Sequence, residues 1–146
     1  MEIVKMTAAH HDDVRRMSEI FYNSDAVDHD VPAESIEKNI AEATGDNPYF
    51  TGYVLAEDGE NVGFSYVSQY YETEIGGMCV MIIDLYIDEK CRGRGFGTQL
   101  FNFVFKEYSH AKRFRLEVER DNENAVALYK KLGFKELGYM QMIIEK

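Results

Sequence analysis

The chain has 146 residues, 45% hydrophobic and 29% charged; this suits one domain, residues 1–146, with a sizeable core and excludes a disordered chain. Sixteen basic against 26 acidic residues leave a net charge of −10, which repels nucleic acid and anionic membranes and favours a cationic small molecule or a basic peptide. Two cysteines are too few for a disulfide framework, no run approaches the length of a membrane span, and the first ten residues lack the basic-then-apolar pattern of an export signal, so a cytoplasmic location is expected.

Glu2–Met6 alternates apolar and charged residues and reads as a first strand. Thr7 is placed to cap a helix whose apolar positions are Val14, Met17, Ile20 and Phe21. After a polar break at Asn23–Val31, Pro32 suits a first helical turn, and Ile36 and Ile40 carry a second helix to about Thr44. Tyr49–Ala56 and Val62–Tyr71 read as strands joined by the turn Glu57-Asp58-Gly59-Glu60. Met78–Ile87 is a long apolar run suited to a buried central strand. Asp88–Gly97 is a basic, glycine-rich loop, and Leu100, Phe101, Val104, Phe105 and Tyr108 mark the amphipathic helix after it. Arg113–Val118 alternates charge with apolar residues as a strand. Asp121 or Asn122 caps a helix with the stripe Ala125, Leu128, Tyr129 and Leu132, which Gly133 ends. Phe134–Glu145 is expected to return as one or two strands. This order predicts an α/β (α+β) domain: one mixed, twisted central sheet of about six to seven strands, with about four helices on both faces.

The chemistry concentrates where the central strand meets the glycine-rich loop. Gly93, Gly95 and Gly97 alternate just before a helix, flanked by Arg92 and Arg94. A helix N-terminus leaves backbone N–H groups unpaired and carries partial positive charge, and glycines let that backbone approach a ligand closely. The segment therefore suits phosphate oxygens. The spacing is not the G-x-G-x-x-G of a dinucleotide fold, and Gly97-Thr98 lacks the lysine of a Walker loop. Taken alone, such a loop is equally compatible with a turn that binds nothing. Cys91 reads as a loop thiol between Lys90 and Arg92, and Cys79 as a core residue.

Two segments together are more specific. Arg92-x-x-Gly95-x-Gly97 resembles the R/Q-x-x-G-x-G/A signature of the GCN5-related N-acetyltransferase (GNAT) superfamily, and it follows an apolar strand ending Leu85-Tyr86-Ile87. Asn122 to Phe134 resembles the same family's N-x-x-A-x-x-L-Y-x-x-x-G-F pattern. The likeness covers about residues 78–134, and the N-terminal third agrees only in element order. It implies an N-acetyltransferase that moves an acetyl group from acetyl-CoA to a primary amine by direct attack in a ternary complex. A coenzyme A-binding regulatory module without turnover is the alternative. The backbone of Arg92, Gly93, Arg94, Gly95, Phe96, Gly97 and Thr98 would hold the pyrophosphate. Leu85, Tyr86 and Ile87 would border the pantetheine arm through main-chain groups, and Asn124 would bond that arm or a nearby backbone group. Tyr129 would approach the sulfur as general acid. Asp84, alone among apolar neighbours, is the candidate base or amine-binding group, with Glu119 its rival.

On the acceptor side, Asp25, Asp28, His29 and Asp30 fall between the first two helices, where family members wall the acceptor site. Tyr66 and Tyr70 share one strand face, which allows an aromatic wall or ordinary sheet packing. No histidine has metal-ligand spacing, so no metal is expected. The acceptor is expected to be a small-molecule or peptide amine, with no nucleic acid and no membrane partner. The resemblance allows a homodimer and leaves the oligomeric state open.

Overall fold

The computed structural model describes residues 1–27 and 30–146; Asp28 and His29 lie outside the described residues. In chain order the elements are β1 (Glu2–Lys5), α1 (His11–Tyr22), α2 (Ala33–Thr44), β2 (Phe50–Glu57), β3 (Glu60–Glu72), β4 (Gly77–Ile87), α3 (Phe96–Glu107), β5 (Arg113–Leu116) and α4 (Glu123–Lys131). Five strands form one sheet in the order β1-β2-β3-β4-β5. The first four are antiparallel, and β5 joins β4 in parallel after the α3 crossover.

The sheet separates two apolar layers. On one face α1 and α2 bury Val14, Met17, Ile36, Ile40 and Ala43 against Val54, Phe64, Tyr66 and Tyr86. On the other, α3 buries Phe96, Leu100, Phe101 and Val104 against Leu55, Val67, Val80 and Ile82. Tyr129 and Phe134 pack edge-on to Phe101, with ring centroids 5.5 Å away in each case, which fastens α4 to that layer. Phe101 is fully buried beneath them. Phe101→Ala is expected to cost about 3–5 kcal/mol, read as a lower denaturant midpoint at unchanged slope.

One irregularity sets the functional geometry. Tyr66 pairs with Asp84 and Val67 with Ile82, which leaves Ile83 as an extra residue in β4. A side-chain period of two is thereby shifted by one. Before the bulge, Val80 and Ile82 face α3. After it, Tyr86 faces α1 and α2, while Leu85 and Ile87 face α3. Asp84, in phase with Tyr86, is turned under α1.

The structure corrects three expectations. The sheet has five strands rather than six to seven, because residues 135–146 form none. Met140, Met142, Ile143 and Ile144 lie exposed there. In a strand these residues would put apolar side chains on both faces, a pattern that specifies no register, and β5 offers an edge of only four residues. In α1, Ile20 is 49% exposed, and the buried positions are Val14, Met17 and Ser18. Cys91 is a buried member of the α3-side core rather than a loop thiol.

Candidate active site

The loop between β4 and α3 turns on left-handed glycines directly into a helix start. Gly93 and Gly95 take φ of 73° and 82°, left-handed values that cost a side chain-bearing residue about 1–2 kcal/mol. Gly95 is the N-cap of α3 and, having no side chain, cannot itself bond the helix end. The first-turn N–H groups of α3 thus point outward with the positive end of the helix dipole. Gly97 has a packing reason instead: a Cβ there would come within 2.8 Å of Leu128 Cδ2, so the absent side chain lets α4 lie against the start of α3. Phe96 is buried and can offer a ligand only its backbone.

The two arginines are engaged within the protein. Arg92 Nε donates to the Ile87 carbonyl at 2.9 Å, tying the loop to the end of β4. Arg94 pairs with Glu57 at 2.7 Å and lies over the Phe96 ring, 5.0 Å from its centroid. Both guanidinium groups are thus engaged, while the glycine backbone between them is not held by either.

Upstream of the loop, the strands part. β4 pairs with β5 from Cys79 to Ile82 only, yet β4 runs on to Ile87, held on its other side by β3. The edge of Asp84–Ile87 on the β5 side is left without a strand partner among the described residues. Such an edge can take the amide groups of an extended ligand as a strand would. The side chains of Leu85 and Ile87 line its α3 side. Tyr86 turns its ring away, stacking with Phe64, and its hydroxyl donates to Asp88 Oδ1 at 2.8 Å.

Asp84 sits on the α1 side of this edge. Burial pushes its carboxyl above the ordinary carboxylate range, and a hydrogen bond from Tyr22 opposes that rise. Tyr22 Oη donates to Asp84 Oδ2 at 2.5 Å, and Asn39 Nδ2 of α2 donates to Tyr22 Oη at 3.4 Å. Tyr66, on the facing rung of β3, is fully buried, and so is Ser18 of α1.

Tyr129 lies in the opposite layer, packed against the α3-side core. Burial alone pushes its phenol up, so it stays protonated at neutral pH. No hydrogen bond to another described residue engages its hydroxyl. The helix carrying it begins at Asn122, whose side chain accepts from the Ala125 N–H at 3.3 Å. Asn124 is exposed one turn before Tyr129.

The remaining candidates do not join this group. Tyr70 lies four residues along β3 from the Asp84 rung, opposite Cys79, about 13 Å away at strand rise; it accepts from Arg115 instead, at 2.9 Å. Glu119 is exposed in the turn after β5. Asp28 and His29 lie outside the described residues. No cluster of three metal-ligating side chains occurs among the described residues, and no helix among them is long and apolar enough to cross a membrane.

Tyr22 was not a sequence candidate. Its signal lay in α1: positions 14, 17, 18, 21 and 22 share one helical face, and Ser18 and Tyr22 are the polar members of that inward stripe.

The model of the acetyltransferase (GNAT) family matches residues 12–134. Over 135 residues the chain is 30% identical to mouse thialysine N-epsilon-acetyltransferase, covering 86% of this chain and 78% of that one. It is 33% identical over 104 residues to an uncharacterized N-acetyltransferase from Methanocaldococcus jannaschii, covering 62% and 43%. Among solved structures, a possible acetyltransferase from Clostridium difficile 630 superposes with a TM-score of 0.83 at 19% identity, covering 99% and 97%. The aminoglycoside N-acetyltransferase AAC(6')-Iy, solved with a CoA-linked bisubstrate analogue, superposes at 0.80 with 16% identity, covering 99% and 97%. At such identities these two likenesses speak to the fold.

Proposed function

Because the chain belongs to the acetyltransferase (GNAT) family, in which acetyl transfer to amines is the general activity, we propose that it moves an acetyl group from acetyl-CoA to the primary amine of a small cationic molecule, by direct attack in a ternary complex. The observation that carries this reading is the parting of β4 from β5 after Ile82. It leaves, among the described residues, a main-chain edge without a strand partner; half-buried Asp84 begins it, and half-buried Tyr129 packs on the same apolar layer as Leu85 and Ile87. The backbone of residues 92–98 fits a pyrophosphate, and the Asp84–Ile87 edge fits the amide-bearing pantetheine arm.

The chain's own groups then divide the work. An amine attacks only after losing a proton, and Asp84 accepts it, directly or through one water. A main-chain N–H of the free β4 edge faces the charge that develops on the carbonyl oxygen. Tyr129 Oη gives its proton to the departing sulfur. No protein nucleophile is acylated, so intact-mass measurement after mixing with acetyl-CoA alone is expected to show an unmodified chain.

The net charge of −10 favours a cationic acceptor, and the mouse relative is named for acetylating the ε-amine of thialysine. The test is a panel of lysine-like amines, polyamines, aminoglycosides and peptides with acetyl-CoA, following free thiol. Turnover with small cationic amines supports the reading. Turnover with peptides alone overturns the acceptor class, and acetyl-CoA binding without thiol release on any amine overturns catalysis in favour of a regulatory module. Gly95→Ala forces a methyl group into the left-handed conformation of the α3 N-cap. It is expected to raise the KM for acetyl-CoA about tenfold, matching a cost of about 1–2 kcal/mol, with kcat changed less.

A further inference from the structure

We infer that Tyr22 is the positioning residue for Asp84: from the last turn of α1, its hydroxyl clamps one carboxylate oxygen and leaves the other to meet the acceptor amine. This deepens the reading above and rests on Asp84 accepting the proton.

The geometry comes from three elements. Tyr22 Oη donates to Asp84 Oδ2 at 2.5 Å. Asn39 Nδ2 donates to the same Oη at 3.4 Å, so the phenol's oxygen is occupied and its proton is directed at the carboxylate. Neither partner is near Asp84 in sequence; Tyr22 stands 62 residues before it. The ring is fixed as well, lying 5.2 Å from Phe21 between centroids. Phe21 in turn meets Phe64 edge-on at 6.1 Å. The hydroxyl therefore cannot swing away without repacking the α1 side of the core.

A second consequence follows from charge. Among the described residues, the titratable groups facing Asp84 are Tyr22 from α1 and Tyr66 from β3, while α2 contributes the neutral Asn39. Burial and the neighbouring carboxylate push the Tyr22 phenol far up, so it is a permanent donor. Its hydrogen bond favours ionised Asp84 and opposes the effect of burial. Without it, Asp84 holds its proton to higher pH and is less often available as a base. The sign is fixed: loss of the hydroxyl moves the acidic limb of activity upward.

The test compares wild type, Tyr22→Phe, Asn39→Leu and Asp84→Asn, measuring kcat/KM for the acceptor from pH 5 to 9 beside acetyl-CoA affinity. Tyr22→Phe is expected to shift the acidic limb up by about one pH unit, a tenfold loss below the limb. Acetyl-CoA affinity stays unchanged, and activity recovers in large part at high pH. Asn39→Leu shifts the limb the same way by less, and serves if Tyr22→Phe does not fold. A limb in both variants that superposes on wild type, while Asp84→Asn abolishes it, overturns the positioning role alone. A limb that survives in Asp84→Asn overturns the base assignment itself.

Discussion

Tyr129→Phe is expected to lower kcat by about 10²–10⁴-fold, the range for losing a positioned general acid, while the KM for acetyl-CoA changes less than about twofold. The packing argument isolates the hydroxyl. The Tyr129 ring is held edge-on by Phe101 and Phe134, and phenylalanine keeps both contacts. Because no other described residue bonds the hydroxyl, its removal leaves no protein group stranded, and the change in stability is expected to stay within about 0.5 kcal/mol. Burial keeps the phenol protonated, so wild-type kcat should show no loss from this group across neutral pH. Steady-state thiol release from pH 6 to 9 measures both points. An unchanged kcat in the variant would return Tyr129 to a purely structural role.

The parts of this site legible in the sequence are those where one local segment contains both the element and its chemistry. Gly93, Gly95 and the start of α3 are contiguous, so the left-handed turn into the helix follows from local sequence. Tyr129 is likewise read from its own helix, with Asn122 before it and Gly133 after it. The parts that were not legible depend on register or on distant partners. Nothing in the run Met81-Ile82-Ile83-Asp84 says which residue bulges, yet the bulge at Ile83 decides which layer Asp84 enters. Tyr22 and Asn39 reach Asp84 only because α1 and α2 pack on one face of the sheet. Strand count failed for a related reason: residues 135–146 have strand-like composition, but strands form against partners, and apolar side chains on both faces leave the choice of partner undefined.

Asp84→Asn is expected to reduce kcat/KM at neutral pH by about 10²–10³-fold and to flatten the acidic limb of the pH profile. The same substitution separates catalysis from stability, because the two respond to the Asp84 charge with opposite sign. Burial raises its carboxyl above the ordinary range in the folded chain, so the fold binds the neutral form better than the ionised one. The stability from that preference is full below the ordinary carboxylate pKa and is lost as pH rises through the raised folded value. At neutral pH the ionised group is therefore a burden on the fold, which Tyr22 relieves in part. Asparagine keeps an oxygen to accept from Tyr22 and carries no charge. The variant should melt at or above the wild-type temperature near pH 8, and the gap should narrow as the buffer is acidified toward the ordinary carboxylate range. A variant that loses activity and stability together at pH 8 would mark Asp84 as a structural carboxylate, because a base held at a cost to the fold must give that cost back when its charge is removed.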